Sequence, residues 1–166
     1  MKWSKLRKNI KEKIVPELCE RVDFHVTKYR DAQYEIGEFW ITVDKEKVFG
    51  GGTYHFINKL TEDFQINGRK YFIDHNLEFT KVNIQDLDII NIMSCEIHDT
   101  THFSGSLFNY LNTGIEESLK SKNPFFRAFA LIDKRCGKRK LKEIKIDENE
   151  HKLIKLFYEL RIRESS

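Results

Sequence analysis

Hydrophobic positions change their period twice along the chain. Trp3, Leu6, Ile10 and Ile14 recur every three or four residues, which puts them on one stripe of a helix with Lys5, Lys8, Lys11 and Glu12 turned away. Pro16 is expected to stop that helix. From Val22 the period is two: Val22, Phe24 and Val26 alternate with Asp23, His25 and Thr27, as in a strand with one buried face. Phe39 to Val43 is a second extended run, and Lys47-Val48-Phe49 a third after a turn at Asp44 to Glu46. Gly50-Gly51-Gly52 ends that unit as a strand-to-helix turn, Tyr54 to Phe64 reads as a helix, and Asn67-Gly68 signals a turn before a short strand at Tyr71-Phe72-Ile73.

From about Asp86 the helical period returns. Leu87, Ile90, Met93 and Ile97 form one stripe; Leu107, Leu111, Ile115 and Leu119 form another. Asn123-Pro124 is a helix start, a capping side chain followed by a ring preset to helical φ. Phe125, Phe129, Ile132 and Cys136 line the next stripe, Gly137 is a cap or break, and Leu153, Leu156, Phe157 and Leu160 supply the last helix. Strands first and helices afterwards predict an α+β fold: an N-terminal helix, a small antiparallel sheet of at least three strands, then a helical half packed on it. With 166 residues and no repeat or linker, one domain spanning 1–166 is expected.

Composition adds what patterning leaves open. Thirteen Phe, six Tyr and two Trp supply apolar surface too costly to leave in water, so global disorder is excluded. No apolar run approaches the ~18 residues of a membrane span. The basic start Met1 to Lys8 is followed by Asn9, Lys11, Glu12 and Lys13 instead of an apolar signal core, and the three cysteines, Cys19, Cys95 and Cys136, are odd in number and widely spaced. A cytoplasmic protein with reduced thiols and no membrane contact is expected.

The net charge of +3 conceals segregation. Residues 1–15 carry +5, residues 16–119 carry −9, residues 120–145 carry +8 and residues 146–166 carry −1. The two basic segments either fold against the acidic middle or present an anion-binding surface.

Several segments resemble an uncharacterised bacterial family of short soluble cytoplasmic proteins. They are Met1-Lys2-Trp3-Ser4-Lys5-Leu6, Arg21 to Arg30, Trp40 to Lys45, Ile115 to Leu119, Asn123-Pro124, Ala128 to Arg135, Gly137-Lys138-Arg139 and Phe157 to Arg161. The resemblance spans most of the chain outside about residues 54–100, which favours one contiguous unit. It brings no established activity with it, so the site must be argued from the residues.

Four groups of residues carry chemistry worth testing. Cys95-x-x-His98-x-x-x-His102 has a spacing that could offer ligands to a metal if one helix runs through it, with Asp99 or Cys136 as a fourth; the blander alternative is a cysteine facing the core and exposed histidines near a helix end. Gly50-Gly51-Gly52-Thr53 could expose N–H groups to a phosphate, but no Gly-Lys-Ser/Thr follows, so it is no Walker loop. His25, Tyr29, Arg30, Glu38 and Asp44 gather in the strand region as acid–base candidates, with Asp44 and Glu46 near Lys47 as a formal divalent-ion site; a charged turn is the commoner explanation. No nucleophile-elbow, kinase or zincin pattern supports an enzyme.

The fourth group is Arg127, Lys134, Arg135, Lys138, Arg139, Lys140 and Lys142. If one helix continues through it, Arg127, Lys134 and Lys138 form a continuous positive ridge; otherwise Glu116, Glu117, Glu148 and Glu150 neutralise it. The expected function is a non-catalytic cytoplasmic binding or adaptor protein whose partner is another protein or a second copy. Nucleic-acid binding through 127–142 is the alternative, and a hydrolase built on the strand-region cluster is the second. No metal and no cofactor is expected.

Overall fold

The computed structural model describes residues 2–28, 37–67, 70–72, 89–91 and 98–164. Helix α1 (Trp3–Lys11) buries Leu6 and Ile10, and α2 (Pro16–Cys19) follows as a single turn. Strands β1 (Val22–Lys28), β2 (Gly37–Val43) and β3 (Glu46–Gly52) form an antiparallel sheet in that order. Then come α3 (Thr53–Asn67) and a parallel pair, β4 (Lys70–Phe72) with β5 (Ile89–Asn91). The rest is helical: α4 (Thr100–Leu111), α5 (Ile115–Lys120), α6 (Pro124–Ile132), α7 (Lys138–Glu143) and α8 (Lys152–Arg163). The fold is α+β, with the helical half following the sheet.

The sheet keeps the expected alternation. Val22 pairs with Val43, Phe24 with Ile41 and His25 with Trp40, so Val22, Phe24, Phe39, Ile41 and Phe49 share the buried face. Asp44 and Lys45 connect β2 to β3 with φ of 51° and 73°. Positive φ at both central residues of a two-residue hairpin loop is the type I′ geometry, whose twist matches the strands it joins. A bulge at Ile41/Thr42 leaves Val48 as the extra residue of β3.

Phenylalanines join the sheet to the helices. Phe39 stacks on Phe103 of α4, centroids 4.4 Å apart, and meets the edge of Phe125 from α6. Phe24 meets Phe129, which in turn meets Phe157 of α8. Helix α6 is therefore central. Eight of its nine residues, all but Arg127, are buried, which accounts for its being apolar nearly all round. Asn123 starts it as expected: its Oδ1 accepts the Phe125 N–H at 3.0 Å, while its Nδ2 donates to Ser106 Oγ at 3.1 Å.

Local punctuation departs from the pattern in five places. Helix α1 stops at Lys11; Ile14 instead forms an antiparallel bridge with Asp133, and Pro16 opens α2, where its missing N–H costs nothing. Gly50 to Gly52 belong to β3 and do not follow it. Ile89–Asn91 is strand, not helix, because a short β-branched run has no period of its own and parallel pairing with Lys70–Phe72 decides it. The rest of that stripe, Leu87, Met93 and Ile97, lies outside the described residues. The 107–119 stripe is two helices, parted by Asn112 to Gly114. Helix α6 ends at Ile132, leaving Cys136 buried in the following turn, and Gly137 begins α7 instead of closing α6.

Candidate functional site

The outer face of the sheet carries the side chains that alternate with its core. The His25 imidazole stacks on the Trp40 indole with centroids 5.0 Å apart and planes 11° from parallel, as their cross-strand pairing dictates. His25 Nε2 lies 3.4 Å from Thr42 Oγ1. Opposite Trp40 stands Gly50, and opposite Glu38 stands Gly52. With no side chains there, the end of β3 is the floor of a cleft of about 250 Å³, walled by Glu38, Lys47, Tyr54 and His55. Thr53 anchors it by accepting the Gly37 N–H at 3.2 Å and donating to the Gly37 carbonyl at 3.3 Å.

Of the acid–base candidates, His25 and Glu38 share this outer face, and the neighbours of His25 are the Trp40 indole and the Thr42 hydroxyl, the latter beyond the roughly 2.6–3.2 Å reach of proton transfer. Asp44 is elsewhere. At the hairpin tip both its oxygens accept from Arg21, at 2.8 and 2.7 Å, and Arg21 also pairs with Glu164. Those bonds hold the Asp44 carboxyl below its ordinary range and occupy the atoms that a divalent ion beside Glu46 would need. Tyr29 and Arg30 lie outside the described residues.

The metal candidates are also rearranged. Cys95 lies outside the described residues, and no single helix joins His98 to His102: Asp99 intervenes as the N-cap of α4. The His102 N–H donates to Asp99 Oδ1 at 2.8 Å and the Asp99 N–H to His102 Nδ1 at 3.4 Å, a reciprocal capping box. Both histidines are buried where the sequence suggested exposure, because His98 packs among Phe125, His102 and His151. Among the described residues, no group of three or more His, Cys, Asp or Glu side chains is placed to hold a metal. Sequence reasoning missed His151, which no local spacing connects to His98. It also missed why Gly51 is glycine: a Cβ there would lie 2.1 Å from the His98 carbonyl oxygen.

The cations of the basic segment differ in their burial and in the carboxylates they meet. Arg127 bonds Glu150 at 2.8 Å across to the loop before α8, and Lys140 pairs with Glu116 of α5, as the neutralising alternative supposed. The continuous helical ridge does not form, because Arg127 belongs to α6, Lys134 and Arg135 to a turn and Lys138 to α7. Arg135 clasps the buried Asp133 through Nε at 3.0 Å and Nη2 at 2.7 Å while its side chain stays one-third exposed. Lys134, Lys138, Arg139 and Lys142 are exposed, held on a frame pinned by the buried Cys136 and Leu141.

No helix among the described residues is long and apolar enough to cross a membrane. No curated protein and no solved structure matches the chain. One family model does match, described as the SF0329 protein family, and it takes in residues 2–162, from the first residue of α1's cap almost to the end of α8. With sheet, cleft and basic turn all inside that match, the chain belongs to the SF0329 protein family.

Proposed function

We propose that the chain is a non-catalytic, cytoplasmic binding protein that takes an extended segment of another protein along the outer face of β3. The observation that carries this reading is the cleft floored by Gly50 to Gly52, with a carboxylate, Glu38, and an ammonium, Lys47, on its walls. A peptide backbone offers both donors and acceptors to such a pair, and the glycines let it approach the strand closely. β3 is an outer strand of its sheet, the usual place for strand addition. The neighbouring Trp40–His25 stack gives a rigid apolar platform for a side chain of the bound segment.

The test is selection from a random peptide library displayed on phage, followed by NMR titration of the enriched peptide. Binding should shift the Gly50 to Gly52 amides and weaken at least tenfold in Lys47→Glu. No enrichment, or shifts confined to other elements, overturns the reading.

A further inference from the structure

We propose that Lys134, Lys138, Arg139 and Lys142 form a second binding surface, for the sugar–phosphate backbone of duplex nucleic acid. These four side chains are exposed, and no carboxylate stands among residues 134–142. The preceding Asp133 is buried beneath Arg135, so its own charge is withdrawn from the surface of the turn. Glu143 reaches Arg139 at 3.8 Å, but both side chains are largely in water, where such a pair yields readily to a phosphate.

The placement is fixed by the interior. Leu141 is buried and turns α7 so that Lys138 and Lys142, one helical turn apart, share a face, while Lys140 is drawn aside to Glu116. The Cys136 carbonyl accepts from Arg161 of α8, and the Lys134 N–H donates to the Lys13 carbonyl at 2.8 Å. That last bond brings the main chain of Lys13, from the basic N-terminal segment, beside the turn.

The character of the surface selects among polyanions. An anionic membrane would be met by apolar side chains protruding beside the charges. Here Leu141 points inward, and the exposed large hydrophobics among the described residues, Tyr54, Ile57, Ile66 and Phe108, are on α3 and α4. Single strands are held by aromatic stacking, and residues 134–142 contain no aromatic ring. Cations alone suit the denser phosphates of a duplex, read without regard to sequence.

Fluorescence anisotropy with a labelled 20-base-pair duplex tests this. Binding should be independent of base sequence and fall roughly 100-fold between 50 and 200 mM salt, the loss expected when about four phosphates are neutralised. Lys134→Glu/Arg139→Glu/Lys142→Glu should weaken it at least tenfold with an unchanged circular dichroism spectrum, and Lys140→Gln should leave it within twofold. The proposal is overturned by absence of duplex binding at 50 mM salt, by a folded triple variant that binds like wild type, by tighter binding to a single strand of the same length, or by binding to phosphatidylserine vesicles in place of the duplex.

Discussion

Tyr110 donates a 2.5 Å hydrogen bond to Oδ2 of Asp133, tying the last turn of α4 to the residue that caps the end of α6. Arg135 closes the network from the other side, bonding the same carboxylate and lying 3.3 Å from the Tyr110 oxygen. Burial pushes Asp133 toward protonation, but hydrogen bonds from Arg135 and Tyr110 outweigh it and hold the carboxyl below its ordinary range. The same burial, with the bond to Asp133, pushes the Tyr110 hydroxyl well above its own. Because Asp133 also makes the main-chain bridge to Ile14, this carboxylate helps fix the α1–α2 connection against the helical half.

Removing the carboxylate should be costly. Asp133→Ala is expected to destabilise the chain by about 3 kcal/mol, the low end for breaking a buried pair because Arg135 keeps contact with water. Tyr110→Phe should cost less, about 1–2 kcal/mol, since Arg135 still satisfies the carboxylate. Urea denaturation at pH 7 measures both; an Asp133→Ala loss under 1 kcal/mol would contradict the network's role.

The same carboxylate should make stability pH-dependent. Its folded-state pKa lies below the unfolded value of about 4, so its contribution is complete above that value and disappears as pH falls through the depressed one. Asp133→Asn should therefore lose less stability than wild type on acidification from pH 6 to pH 3. Equal losses in the two proteins, measured by urea midpoints, would sink the assignment.

Gly51 should tolerate no side chain. A Cβ would meet the His98 carbonyl oxygen at 2.1 Å, backbone against backbone, so the strand or the segment before α4 would have to move. Gly51→Ala is expected to cost about 1–3 kcal/mol, as overpacking does, and to lower the melting temperature by several degrees. Gly114→Ala, where a Cβ meets nothing within 4 Å, is the control.

Lys45→Gly should stabilise the hairpin. Lys45 holds φ at 73°, a conformation costing an L side chain about 1–2 kcal/mol that glycine avoids, less the entropy glycine loses on folding. A gain of roughly 0.5–1 kcal/mol is expected. Asp44, at φ 51°, is the wrong place for that change, since Arg21 would lose its partner.

Where one face of an element is buried by neighbours close in sequence, the pattern along the chain was enough. The period-two run at Val22 to Val26 gave β1 its inner face, and that alternation already turned His25 outward. The Asn123-Pro124 pair marked the start of α6 because capping chemistry is local. The Ile89–Asn91 strand was illegible for the opposite reason: its partner, Lys70–Phe72, is distant, and only pairing selects its backbone. Contacts distant in sequence also rearrange the described members of the catalytic and metal groupings. Nearness in sequence grouped Asp44 with His25, and His98 with His102 on condition that one helix ran through both; Arg21 holds Asp44 at the hairpin tip, and Asp99 caps α4 between the two histidines.

Sequence alone therefore determined the α+β order of elements, the faces that go inward and the existence of two basic blocks, since each depends on residue type and local period. Tertiary structure decided which charges are spent. Arg127 and Lys140 found carboxylates on other elements, Asp133 was buried under Arg135, and Lys134, Lys138, Arg139 and Lys142 were placed at the exposed surface, Arg139 beside Glu143. It also decided that Gly50 to Gly52 form the floor of a cleft instead of a turn. Ion pairing and burial depend on distances between segments far apart in the chain, and those distances exist only once the phenylalanine core has brought sheet and helices together.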